Sequence, residues 1–430
     1  MNKRFFGNAG IFLGANIINA GIPFLLLPFL TRALTPADYG VVAMFGIMVN
    51  IFGTLTGLSV HGAIGVRYFE LEKSVLARYV GACVSILIVS TAIIFALVAL
   101  FGKWLEEPTS LPYEWLLVAV LISGLQFLIN IKLTLWQVGG IAKRYGIFQV
   151  SQGLLNAAVS LIFIFGFLMA WEGRVLGQVI ATSVFGVLAL VGLFLGSELS
   201  RPKAAEGHVS DALKFGVPLI PHVIGGLVMV VADRFIIANM LDVQAVGIYT
   251  LALQIGMIMG LIADAFIKVY GPWLYAKLKE NTDEARREVV GVTYLVWLVF
   301  LALALVAVGF CELFFSAVVG KDFAAAKDII FWFFLGQTFK GMYLSVAGFF
   351  FFSSRTSSVS VVTVCTGLFS VAVTIIFVKL LGLQGAAMAY ALSEGVLFLF
   401  AWLLSQRIHK MPWSDVVSSI SLIANRGFSK

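Results

Sequence analysis

The sequence predicts an all-α polytopic membrane protein of about twelve transmembrane helices, arranged as two six-helix lobes around a central cavity. Three observations carry that prediction. Hydrophobic residues fill 60% of the 430 positions and charged residues only 12%, against about a quarter charged in ordinary soluble domains. Apolar runs of about 20 residues recur from end to end, each long enough to cross a ~30 Å hydrocarbon layer as a helix. The runs lack the alternation of barrel strands, and a helix satisfies its own backbone hydrogen bonds in lipid.

The first span, 10–30, follows a basic start and stays apolar to Leu30 without a small-residue cleavage site, which separates it from a signal peptide. Hydropathy and breakers place further spans at 41–66, 80–102, 115–138, 147–170 and 175–199. The charged stretch "SRPKAAEGHVSDALK" then interrupts the pattern, and spans resume at 215–241, 247–270, 289–311, 329–352, 358–380 and 386–406. The chain divides accordingly into an N-terminal lobe (1–200), an inter-lobe loop (201–214), a C-terminal lobe (215–406) and a tail (407–430). Loop cations number roughly 19 on one side against 6 on the other, with Arg174 among the six; this bias puts both termini in the cytoplasm.

Two segments read as amphipathic helices on the inner-leaflet surface. One is 67–80, with Tyr68, Leu71, Val75 and Tyr79 on a shared face. The other is the tail, with Trp413, Val416, Val417, Ile420 and Ile423. Cys83, Cys311 and Cys365 lie far apart in apolar runs and form no metal or redox pattern. Extramembrane segments are short and hold no nucleophile–base set, so no catalytic residue, metal site or cofactor is expected, and no nucleic-acid partner.

The turn "LTRALTPADYGVVAMF" (30–45) joins the first two spans, and "ANMLDVQAVGIYTLAL" (238–253) follows the seventh. Leu34 aligns with Leu241 and Gly40 with Gly247 at one common offset. Proline also recurs, as Pro23 and Pro28 in the first span and Pro218 and Pro221 in the seventh, making these helices candidates for the moving elements. An even number of spans per half gives the two repeats one orientation.

These two turns resemble the hallmark turns of Wzx-type bacterial polysaccharide flippases, of the multidrug/oligosaccharidyl-lipid/polysaccharide exporter superfamily. The likeness extends over essentially the whole chain in span number and turn placement. It implies translocation of an undecaprenyl-diphosphate-linked oligosaccharide from the inner to the outer leaflet of the bacterial cytoplasmic (inner) membrane. Relatives that flip the peptidoglycan precursor generally have two additional spans, which favours O-antigen or another surface polysaccharide unit here. The implied partners are that lipid-linked glycan, membrane lipids and polysaccharide polymerase machinery, with the flippase acting as a monomer.

A diphosphate stripped of water needs cations in a protected cavity. The intramembrane cations are Lys132, Arg234, Lys268 and Lys340. Each costs ~2.5–3.5 kcal/mol at mid-bilayer, so facing lipid is the unfavourable arrangement for all of them. Lys340 has no acid one turn away and is the strongest cavity candidate, whereas Lys132 can snorkel and Lys268 follows Asp264 at ion-pair spacing. Arg67 and Arg355, at span ends, either line the cavity mouth or simply obey the positive-inside bias. Asp233 and Arg234 diverge by about 100° on a helix and are expected to seek partners elsewhere, as substrate ligands or as structural clamps.

Asp233, Asp264, Glu394, His61 and His222 are the candidates for coupling to protons or sodium ions. For each histidine the alternative is an interhelical hydrogen bond. The competing functions are a cation-coupled multidrug exporter and, less favoured, a membrane-embedded polysaccharide polymerase or ligase.

Overall fold

A computed structural model of the chain describes residues 3–280, 282–353, 356–416, 418, 419 and 421. Among the described residues the regular structure is entirely helical. The chain forms two compact units, Met1–Gly247 and Ile248–Lys430.

The first unit holds α1 (Lys3–Ala33), α2 (Pro36–Leu55), the short α3 (His61–Arg67), α4 (Lys73–Phe101), the short α5 (Lys103–Thr109) and α6 (Tyr113–Val138). It continues with α7 (Ala142–Leu161), α8 (Trp171–Leu195), the short α9 (His208–Gly216) and α10 (Ile220–Met240). α11 (Val243–Glu280) begins at its end, and α12 (Asp283–Val318), α13 (Ala326–Phe352) and α14 (Thr356–Ile408) belong to the second unit.

Ten helices among the described residues are long and apolar enough to cross a membrane. The bent pair His208–Leu227 and Val230–Met240, turned by 54°, supplies an eleventh. A twelfth comes from α14, which breaks at Gly382 (φ 60°, ψ −138°). Beyond that break a Cβ on Gly385 would stand 2.0 Å from the Phe377 carbonyl oxygen. Eight residues of unbroken helix would separate the two by ~12 Å, so the chain folds back and α14 is two spans. The all-α, twelve-span expectation holds.

Local chemistry explains the starts of α2 and α11. Thr35 caps α2 by accepting from the Asp38 amide at 3.1 Å, while Asp38 accepts from the Thr35 amide at 2.9 Å. This reciprocal box satisfies two otherwise orphaned donors, and Pro36 follows at the first helical position. Asp242 does the same work for α11, accepting from the Ala245 amide at 2.6 Å. The two caps obey the offset that relates Gly40 to Gly247.

The second span departs from its expected form. It was expected to run unbroken over 41–66, but the helix unwinds at Gly57 (φ 75°), Leu58 (φ 49°) and Ser59 (φ 58°) before α3 resumes. The Ser90 hydroxyl accepts the freed Gly57 amide at 2.8 Å, and the Phe127 ring fills the space a Cβ would need. The break is built in by tertiary partners, because Leu and Ser have no intrinsic preference for left-handed backbone.

The segment 67–80 is not one surface helix. Tyr68 and Glu72 lie in the turn between α3 and α4, and Leu76, Tyr79 and Val80 are buried in the core of the first unit with Ile64, Ile131 and Leu135. Its apolar face meets protein rather than lipid. The tail opens with Trp413 buried against Trp297, Trp402 and Phe349 in the second unit. Its Val417, Ile420 and Ile423 lie outside the described residues.

Candidate functional site

In the first unit, the polar residues of α6 and α7 recur at helical spacing. Gln126 and Asn130 are one turn apart on α6, and Gln149, Gln152 and Asn156 line one face of α7. With Asn19 of α1, Tyr145 of α7 and Thr182 of α8, they line a cavity of about 390 Å3. Its amides are linked: Gln152 Nε2 donates to Gln126 Oε1 at 3.3 Å, and Gln126 Nε2 donates to Asn130 Oδ1 at 3.2 Å. Arg174, expected in a loop, instead lies in the first turn of α8, where Nη1 donates to Asn156 Oδ1 at 2.7 Å and to Ser160 Oγ at 3.0 Å. The amides carry no formal charge and so leave no mark on the charge pattern of the sequence. The i, i+3, i+4, i+7 spacing of Asn and Gln in "QFLIN" and "QVSQGLLN" was the available signal.

The predicted cations fall in different settings. Lys132 is only 5% exposed. Its ammonium donates to Glu198 and, at 3.1 Å, to the Gly192 carbonyl, and it lies 5.0 Å from the Trp136 ring centroid. Gly192 lacks a Cβ, so the lysine stem can lie against α8. This charge has a fixed acidic partner rather than a snorkelling path.

Arg67 is likewise engaged. Nε and Nη2 reach Asp211 of α9 at 3.0 and 2.7 Å, Nη1 pairs with Glu70, and the Tyr79 hydroxyl donates to Asp211 at 2.8 Å. A neighbouring pair joins Arg78 to Glu206 at 2.8 Å, and this hydrogen bond holds the Glu206 carboxyl below the usual carboxylate range. These contacts fasten the segment after the sixth span to α3 and α4. Arg355 lies outside the described residues.

Asp233 and Arg234 correct the expectation that these sequence neighbours pair poorly with each other. They pair with each other, Nη1 to Oδ1 at 3.0 Å, and Arg234 also donates to the Val230 carbonyl one turn back. The 100° divergence applies to Cβ directions. The long arginine side chain folds back towards the preceding turn and passes the short aspartate on the way. His61 sits edge-on to Phe127, ring centroids 5.2 Å apart, with Nδ1 buried and no hydrogen-bond partner. His222 falls in α10, and its side chain is outside the described residues.

In the second unit, Asp264 and Lys268 are both exposed on α11, and no ion pair joins them among the described residues. One helical turn permits such a pair, but exposed pairs are worth little and do not fix geometry. Lys340 is exposed on α13, and Glu394 of α14 is half-buried, with its Oε2 shielded from solvent and without a hydrogen-bond partner.

With this geometry in place, residues 5–278 match the family described as "Polysaccharide biosynthesis protein". A membrane protein of Haemophilus influenzae is 26% identical over 362 residues, 82% of this chain and 85% of that protein. Among solved structures, "Lipid II flippase MurJ, inward closed conformation" has a TM-score of 0.72 at 12% identity, over 99% of this chain and 93% of that chain. An inward-facing multidrug resistance MATE family transporter of the MOP superfamily has a TM-score of 0.66 at 15% identity, over 93% of this chain and 96% of that chain. At such identities these structures establish a shared fold.

Proposed function

The chain belongs to the polysaccharide biosynthesis protein family, and on that premise we propose that it flips an undecaprenyl-diphosphate-linked oligosaccharide from the inner to the outer leaflet of the bacterial cytoplasmic membrane. The cargo is an O-antigen or other surface polysaccharide unit, and the mechanism is alternating access. The observation that carries this reading is the family match, extending over 5–278 of a chain whose spans hold polar and cationic side chains. Arg234, Lys340 and Lys268 are the residues assigned to the diphosphate, because dehydrated phosphate oxygens need charge-assisted donors. Lys132 and Arg67, each held by a carboxylate, serve architecture in this reading.

Both termini face the cytoplasm, and the coupling candidates are Glu394, Asp233, Asp264, His61 and His222, exchanging protons or sodium ions. Glu394 leads this group because its Oε2 is shielded from solvent without a hydrogen-bond partner. The released unit passes to polysaccharide polymerase machinery, with the flippase acting as a monomer. The test is deletion of the gene followed by a leaflet-resolved assay of lipid-linked oligosaccharides. Single units accumulating on the cytoplasmic face support flipping; their normal appearance in the outer leaflet sinks it. Half-buried Glu394, an acid inside a span, also favours a second reading, cation-coupled drug export, which predicts drug sensitivity and unaltered glycolipids in the same strain.

A further inference from the structure

The cavity between α1, α6, α7 and α8 is amide-lined, with no Asp, Glu, Lys or Arg among its lining residues; the neighbouring Arg174 guanidinium is spent on Asn156 Oδ1 and Ser160 Oγ behind that lining. It lies among the central turns of four apolar spans. Asn19, Gln126, Asn130, Gln149, Gln152 and Asn156 supply its polar surface. In hydrocarbon, an amide without partners costs several kcal/mol. Interhelical hydrogen bonds between polar side chains average only ~0.6 kcal/mol in membrane proteins, so helix association alone is a weak reason to gather six amides.

The amides are also under-used. Each carboxamide offers two donors and two lone pairs, yet the relay from Gln152 through Gln126 to Asn130 consumes one donor from each of two residues. Gln149 Oε1 is buried and accepts no hydrogen bond. Arg174 occupies Asn156 Oδ1 at 2.7 Å, which fixes that amide and leaves its NH2 to donate elsewhere. At about 390 Å3 the space falls within the range of ~300–1,000 Å3 typical of small-ligand sites.

The chemistry selects among ligands. A diphosphate would be drawn to cations, and a hard metal ion would be drawn to carboxylates. A sugar ring is neutral, and each hydroxyl both donates and accepts, as a carboxamide does. We propose that this cavity binds the sugar portion of the cargo through uncharged hydrogen bonds, separately from the cations that take the diphosphate. Its place in transport rests on the flippase reading; its ligand chemistry does not.

Saturation-transfer NMR on the purified full-length protein in lipid nanodiscs tests the site, with D-galactose, N-acetyl-D-glucosamine and L-rhamnose as probes. At least one sugar is expected to bind, and Gln126→Leu and Gln152→Leu are each expected to weaken it about tenfold. Gln152→Asn, which keeps the amide, is expected to retain part of the affinity. Thr182→Val, which removes a single hydroxyl, serves if a leucine variant does not fold. No sugar signal above empty nanodiscs, or a signal unchanged in folded variants, overturns the proposal; so does a cavity that responds to sodium chloride and not to sugar.

The leaflet assay separates this proposal from the flippase reading. If the deletion strain accumulates inner-leaflet units while the leucine variants export normally and bind sugar undiminished, the cavity proposal alone fails. If the variants lose sugar binding but the deletion strain exports normally, the flippase reading fails and the sugar site stands.

Discussion

Gly40 and Gly247 face each other's helix starts in a reciprocal contact. A Cβ on Gly40 would stand 1.9 Å from the Val243 carbonyl oxygen, and one on Gly247 would stand 1.8 Å from the Pro36 carbonyl oxygen. Val243 follows the cap Asp242 as Pro36 follows the cap Thr35. The two repeated turns therefore pack as a self-complementary pair, each placing its glycine under the other's first helical residue.

This contact predicts an asymmetric glycine scan. Gly40→Ala and Gly247→Ala must each push back a backbone carbonyl, which cannot rotate away as a side chain can. Each is expected to destabilise the protein by about 3 kcal/mol, the upper part of the overpacking range. Gly46→Ala, on the same helix with open space around it, is expected to be neutral or to gain up to ~1 kcal/mol from helix propensity. Thermal unfolding of the purified variants measures all three.

The Lys132–Glu198 pair predicts a compensating double variant. Glu198→Gln leaves a nearly buried ammonium without its carboxylate and is expected to cost about 3 kcal/mol. Lys132→Met combined with Glu198→Gln removes both charges and is expected to recover most of that loss. Export by the double variant should persist, since the pair is architectural. A melting-temperature cycle and the leaflet assay read the two outcomes.

Acid sensitivity should trace partly to Glu206. Its carboxyl is depressed mainly by the hydrogen bond from Arg78, with Arg78, His208 and Lys203 charges adding to it. A depressed carboxyl stabilises the fold fully above the unfolded value of about 4.3 and loses that contribution as pH falls through the lower folded value. Glu206→Gln is therefore expected to lower stability at neutral pH and to flatten the acid limb of a melting-temperature profile. An acid limb as steep as the parent protein's would rule the contribution out.

Glu394→Gln tests coupling. The substitution keeps size and removes a half-buried carboxylate whose shielded Oε2 accepts no hydrogen bond, so folding should be retained or improved. Transport is expected to lose its dependence on an imposed proton or sodium gradient, measured in membrane vesicles with and without ionophore. Gradient-driven transport equal to the parent's would remove Glu394 from the coupling group.

Much of this protein was determined by its sequence alone. Twelve apolar runs in lipid leave helices as the open-chain solution, because each must satisfy its own backbone. The common offset between "LTPADYG" and "LDVQAVG" marked two equivalent turns, down to the capping residues. Local periodicity also held the amides of α6 and α7 on shared faces. Tertiary structure decided the rest, because partners far apart in the chain are invisible to local pattern. It gave Lys132 to Glu198 and Arg67 to Asp211. It unwound the second span at Gly57, where Ser90 and Phe127 supply what the helix gives up. Side-chain length decided Asp233 and Arg234, since Cβ directions on a helix do not limit where a guanidinium ends.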